Sequence, residues 1–364
     1  MSSASLVREK FTPIPKIVNF FGPRAKLVDR SELSVGEGLD FLFKSNSCMT
    51  DILNDPQNRG QSYEKTMAVS DHIASVAYED MSSAFSAWCH RMVIEYLHQT
   101  DNPNEVNSER LRSLMNCESL GSTAMGPGTA NYLAGTPIPI TTESKNKALI
   151  ASGDIRWASN LTGEFLVVTT TVDPRTQKKH IVCIPSSTSG LLPDAHPKLL
   201  GLEQTYSSSL KMKEVVLKKR DIVTDNFDGF MSRILASFLI LQSSFCKGLA
   251  ARSIYESSQL MSGPKTIFTE DLSNVQDKFD ELSQSLKEDF TVPEKKQFHI
   301  HRLLQIRLDF ALLAQSAVTL ELKLHGGRAY AANSNVSRRF REAAFLPIQA
   351  PTEVQLRWIL SKLK

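Results

Sequence analysis

The spacing of apolar residues changes twice along this chain, and that double change limits the fold more than any single motif. Between residues 32 and 120 apolar side chains recur at helical spacing, with Ile73, Val76 and Ala77 on one face and Phe85, Trp88, Met92, Val93 and Leu97 on a longer one. Asn102-Pro103-Asn104 breaks that helix, and Asn107-Ser108-Glu109 restarts another, with Asn or Ser placed to cap it. From about residue 121 glycine, proline, threonine and β-branched residues take over. The runs 164–172 (EFLVVTTTV) and 180–184 (HIVCI) read as strands on either side of a polar Asp173-Pro174-Arg175-Thr176-Gln177 turn, and 210–217 reads as a further strand. After Asp228 the helical period returns. One long amphipathic segment covers 230–260 and stops at Ser262-Gly263-Pro264; others cover 272–286 and 298–324, the latter ending at Gly326-Gly327, before a short basic stretch at 351–363.

Helices, then strands, then helices argue for separate layers and against alternating βαβ units. The expectation is a multidomain α+β protein: a helical N-terminal domain at 1–120, a middle β-barrel or β-sandwich domain at 121–226 and a C-terminal helical bundle at 227–364. A chain of 364 residues exceeds the roughly 250 at which single cores stop growing. No GxGxxG follows a strand, which argues against a Rossmann site. The net charge of +3 is too small to suggest nucleic acid, and Lys211-Met212-Lys213 alternates like a solvated sheet face. Five scattered cysteines without CxxC spacing point to reduced thiols. His299 and His301 cannot share a helical face and have no carboxylate at helical spacing, so no metal site is expected. Residues 1–10 carry no apolar signal core, and no run approaches the ~20 apolar residues of a membrane span. A soluble, cytoplasmic protein is expected.

The C-terminal motifs are more specific. Leu324-His325-Gly326-Gly327-Arg328-Ala329-Tyr330 is followed by Val336-Ser337-Arg338-Arg339-Phe340-Arg341-Glu342-Ala343 and then Pro351-Thr352-Glu353-Val354-Gln355. That order resembles the acyl-CoA dehydrogenase family, where HGGxGY, VERxYRDA and EGTSEIQ succeed one another. Arg156-Trp157-Ala158-Ser159-Asn160 is similar to that family's WITN segment, and the 121–131 run GSTAMGPGTAN stands where it has ALTEPxxGSD. The resemblance implies FAD as cofactor and an acyl thioester, on CoA or an acyl carrier protein, as substrate. It also implies a homodimer or homotetramer.

By the same resemblance Trp157, Ala158 and Ser159 face the flavin, with Trp157 against the ring and Ser159 as a hydrogen-bond donor; the alternative for Trp157 is a core tryptophan at a strand end. Gly326 and Gly327 let backbone approach the cofactor's diphosphate, or simply end a helix. Thr352 offers its hydroxyl at a helix start to a phosphate, or pairs with Gln355 as a capping box. Arg338, Arg341 and Glu342 read as ties between the preceding loop and the helical bundle.

The pattern departs from the family at the catalytic base. Where the family has a glutamate before GTSE, this chain has Gln349 or Ala350, and a carboxamide cannot serve as a base. The family's other base position falls at about Ser237-Phe238, again without a carboxylate. Glu203, Asp228 and Glu353 remain as carboxylates, with nothing to choose among them, so no catalytic residue is assigned. Lys265 replaces an arginine that reaches the diphosphate, and a lysine cannot form a bidentate fork. Three readings stay open: a flavin-dependent oxidoreductase acting on an acyl thioester, a flavin-dependent monooxygenase, or a flavin-free binding protein.

Overall fold

The computed structural model describes residues 11–55, 60–145, 148–291 and 300–362; His299 lies outside them. Six helices come first: α1 (Pro15–Phe21), α2 (Ala25–Asp29), α3 (Gly36–Ser45), α4 (Tyr63–Glu79), α5 (Met81–His98) and α6 (Glu105–Met115), with a small hairpin, β1 (Asn54–Asp55) and β2 (Gly60–Gln61), before α4. The cap of α6 is Asn104, not Asn107 or Ser108: its side-chain oxygen accepts the Asn107 N–H at 3.0 Å. The first residue after Pro103 is extended and supplies the acceptor, so the helix begins there.

Strands β3 (Leu120–Ala124), β4 (Thr141–Lys145), β5 (Ala148–Ala158), β6 (Phe165–Val172), β7 (Lys179–Pro185), β8 (Leu191–Pro193), β9 (Ser208–Leu217) and β10 (Ile222–Thr224) form one sheet, with α7 (Gly126–Ala134) inserted after β3. The order is β10-β7-β6-β4-β5-β9-β8, and β3 lies parallel to β6. The β6–β7 turn forms as the sequence suggests, with the Asp173 carboxylate accepting the Arg175 and Thr176 N–H groups. Strand β6 is buried from Phe165 to Thr171 because both faces are covered. Phe165 and Val167 join the sheet core, while Leu166 and Val168 join the helical core.

Five helices complete the chain: α8 (Phe227–Gln259), α9 (Thr269–Thr291), α10 (Ile300–His325), α11 (Asn335–Ala343) and α12 (Glu353–Lys362). The expected amphipathic character of α8 is corrected: residues 234–250 are buried without interruption, between α4, α5 and α10. Gly248 makes that possible, since a Cβ there would stand 2.1 Å from the Ala74 carbonyl oxygen on α4. Helices α8 and α10 are also long and apolar enough to cross a membrane by length and composition, contrary to the count of unbroken apolar runs. The most apolar window of α8 is 94% buried inside the protein, which is how a central core helix passes the same test. Helices from both ends of the chain share one core, including Phe21, Leu42, Trp88, Phe238 and Phe310; the sheet holds a second, around Ile140, Ala151, Phe165, Val182 and Met212.

Candidate functional site

A cavity of about 810 Å³ opens where the end of β5 meets the helical core. Trp157, Ala158 and Ser159 form one wall, Phe85, Trp88 and Phe238 another, and the segment after α11 closes it through Phe345, Gln349 and Thr352. Its size and mostly apolar lining are those of a small-molecule site.

The β5 wall depends on an irregularity in pairing. The register between β5 and β9 shifts between Ile155 and Ala158, so Arg156 and Trp157 both point outward while their neighbours stay buried. Trp157 is 47% exposed, which excludes the core-tryptophan alternative. Its indole is an aromatic surface presented to the cavity.

Ser159 is buried and belongs to a chain of hydroxyls: its Oγ lies 2.6 Å from Ser207 Oγ, which lies 2.7 Å from Thr205 Oγ1. Thr205 donates to the Leu202 carbonyl, so it accepts from Ser207, which in turn accepts from Ser159. A hydroxyl has one proton to give, so in this arrangement the Ser159 side chain is an acceptor toward the cavity and not the expected donor. Cys89 lies beside it, and burial pushes that thiol up, which keeps it protonated.

Thr352 also lines the cavity, and the capping box is present: its N–H donates to Gln355 Oε1 at 2.8 Å, and Gln355 N–H donates to its hydroxyl at 3.3 Å. Its own hydroxyl proton is not used by that box. Gly326 and Gly327 are not brought to the cavity lining. They are exposed at the end of α10, where a Cβ added to either would have no heavy atom within 4 Å, and Gly326 has φ +63°. The helix-ending role therefore accounts for Gly326 within this chain.

No Asp, Glu or His lines the cavity among the described residues. Glu203 accepts the Leu199 N–H, Glu353 pairs with Arg357, and Asp228 is exposed in the first turn of α8, so none of the three candidates reaches the lining. Phe238 does line it, and Ser237 is buried alongside. Gln349 is held by two bonds: its Oε1 accepts from Arg307 at 2.6 Å, and its Nε2 donates to the Ala350 carbonyl at 2.8 Å. The Arg341 guanidinium makes a bidentate pair with Asp29 of α2, bonds the Leu200 carbonyl and also borders the cavity. Arg338 pairs with Glu342 at 2.9 Å within α11, and Arg339 pairs with Glu321 of α10. Lys265 sits in the turn before α9 and is not a lining residue.

Sequence reasoning did not single out Arg307 or Gln242. Arg307 falls among apolar residues of α10 and carries no motif, so only its burial reveals it.

No protein-family model matches the chain, and no curated protein does. Solved structures do. The chain is similar to a structure of the electron transferring flavoprotein of Acidaminococcus fermentans at TM-score 0.80 and 11% identity, covering 98% of this chain and 99% of that one. Butyryl-CoA dehydrogenase from Megasphaera elsdenii gives TM-score 0.76 and 12% identity, with the same coverage of 98% and 99%. The prolyl acyl carrier protein oxidase AnaB gives 0.72 and 14%, covering 97% and 99%. At such identities the likeness establishes the fold, and this chain has the acyl-CoA dehydrogenase fold over nearly its whole length.

Proposed function

We propose that this protein is a divergent acyl-CoA dehydrogenase-family flavoprotein, a flavin-dependent oxidoreductase that holds FAD in the cavity beside Trp157, Ala158 and Ser159. Its substrate on this reading is an acyl thioester, on CoA or an acyl carrier protein. The observation that carries the proposal is the exposed indole of Trp157 on an apolar cavity of about 810 Å³, in a fold whose solved relatives include a flavoprotein and a carrier-protein oxidase. A flat aromatic ring system fits such a wall, and the buried Trp88 Nε1, which has no partner among the described residues, is a donor left for a ligand. Gly326 and Gly327 offer open backbone to a diphosphate lying outside the cavity.

A bound flavin would supply hydride exchange with the substrate, or oxygen activation. The chain's own residues do the rest. Phe85, Trp88, Phe238 and Phe345 exclude water, Arg156 brings positive charge to the lining, and Thr352 keeps a free hydroxyl proton. None of them can accept an α-proton, which favours as second reading a monooxygenase whose chemistry needs no such base. Five free cysteines suit a cytoplasmic setting. Exposed Ile348, Val354 and Trp358 suit a homodimer or homotetramer.

The visible spectrum of the purified protein tests the cofactor. A flavin spectrum is expected, and Trp157→Ala should weaken flavin retention about tenfold or more. A protein that stays colourless after incubation with FAD and dialysis would leave the flavin-free reading. Gln349→Ala should keep most of any thioester-driven activity. A loss beyond roughly a hundredfold would mean that Gln349 does acid–base work.

A further inference from the structure

Five arginines are buried among the described residues: Arg91, Arg110, Arg307, Arg338 and Arg339. Four have a carboxylate partner, respectively Glu95, Asp221, Glu342 and Glu321 for Arg91, Arg110, Arg338 and Arg339. Arg307, with 0% exposure, has none among the described residues. Its Nε donates to Gln242 Oε1 at 3.2 Å and one terminal nitrogen to Gln349 Oε1 at 2.6 Å; the other terminal nitrogen is buried without a partner. An arginine cannot shed its charge, and a buried charge with only neutral acceptors is unfavourable unless something supplies the counter-charge.

Arg307 sits one side chain behind the cavity, since Gln349 is the lining residue it holds. The guanidinium draws Gln349 Oε1 toward itself, which turns the amide nitrogen away from it. One N–H of that nitrogen bonds the Ala350 carbonyl, and a primary amide has a second to give. The lining offers no competing negative charge. From this arrangement we propose that the cavity takes a ligand with an apolar body and a carboxylate placed against Gln349. Arg307 selects for that carboxylate, as a positioning residue acting through the Gln349 amide. The proposal rests on the cavity being the ligand site, as the flavin reading does, but it does not require flavin.

Benzoate and benzamide have the same shape and differ in charge, so they probe this directly. Each is titrated calorimetrically into the full-length protein, with flavin content measured on the same sample so that the two readings fail separately. Benzoate should bind at least tenfold more tightly than benzamide, and Arg307→Met should bring the ratio close to one. Equal affinities, no binding of either probe, or a benzoate preference that survives Arg307→Met would overturn the proposal; survival would shift the selection to Arg156 and Arg341 at the lining. If Arg307→Met does not fold, Gln349→Glu decides, because it installs the missing carboxylate next to Arg307. It should raise the melting temperature and remove the benzoate preference. A lowered melting temperature with the preference intact would show that Arg307 lacks no counter-charge.

Discussion

The helices that follow the sheet treat their arginines in two opposite ways. Around α11 every charge is matched: Arg338 with Glu342, Arg339 with Glu321, and Arg341 with Asp29. On α10, Arg307 meets two carboxamides and no carboxylate. The matched group ties α11 to α2 and α10 and has an architectural role. The unmatched one lies behind Gln349, a lining amide of the cavity. Burying a charge is tolerable when the protein pairs it, and a charge left unpaired beside a cavity is available to a ligand.

The largest effect should come from breaking a matched pair. Arg338→Met strands Glu342 and removes the positive charge near the buried Asp80, two carboxyls that burial already pushes upward against the pull of Arg338. A loss of about 3–5 kcal/mol in denaturant unfolding is expected. A loss under about 1 kcal/mol would remove the contrast between the two groups.

Acid gives the next largest effect and calibrates what a satisfied buried group contributes. His90 accepts the Gly121 N–H at Nδ1 and donates from Nε2 to the Leu114 carbonyl, so it is fixed as the neutral ring, and burial lowers its pKa to about 4. The unfolded chain takes up that proton near 6.5 and the folded one only near 4. This contribution is therefore complete above pH 6.5 and is lost as pH falls toward 4, by roughly 3 kcal/mol. Glu342 and Asp80 act in the opposite direction, because the folded state holds their protons more readily. A His90→Gln variant should show a clearly flatter acid limb; an unchanged limb would assign the slope elsewhere.

Thr352→Ala removes one half of the capping box at the cavity edge and should cost about 1 kcal/mol, seen as a drop of a few degrees in melting temperature. The smallest effect is expected for Arg307→Met, which leaves only neutral amides behind and should stay within about 1 kcal/mol of the parent. If it matches the cost of Arg338→Met, Arg307 is as architectural as its neighbours.

The layout of helices, strands and helices was legible because periodicity reports burial on one face of an element. The β6–β7 hairpin and the Thr352–Gln355 cap were legible for a related reason: their partners lie within a few residues of one another. Helices α1 and α2 escaped notice, since each is too short for a period to show. The all-round burial of α8 escaped because Ser237, Gln242, Ser243, Ser244 and Lys247 look like a solvated face until α4 and α10 are laid against them.

By itself the sequence determined where the longer helices and the β6–β7 strands lie, and that neither Gln349 nor Ala350 carries a carboxylate. Tertiary structure alone decided that Trp157 faces a cavity, that the Ser159 proton is committed to Ser207, and that Arg307 has amides for company. The reason is distance along the chain. Local pairs and repeating faces are written in neighbouring residues, whereas Gln242, Arg307 and Gln349 are 65 and 42 residues apart and meet only when α8, α10 and the segment after α11 pack together.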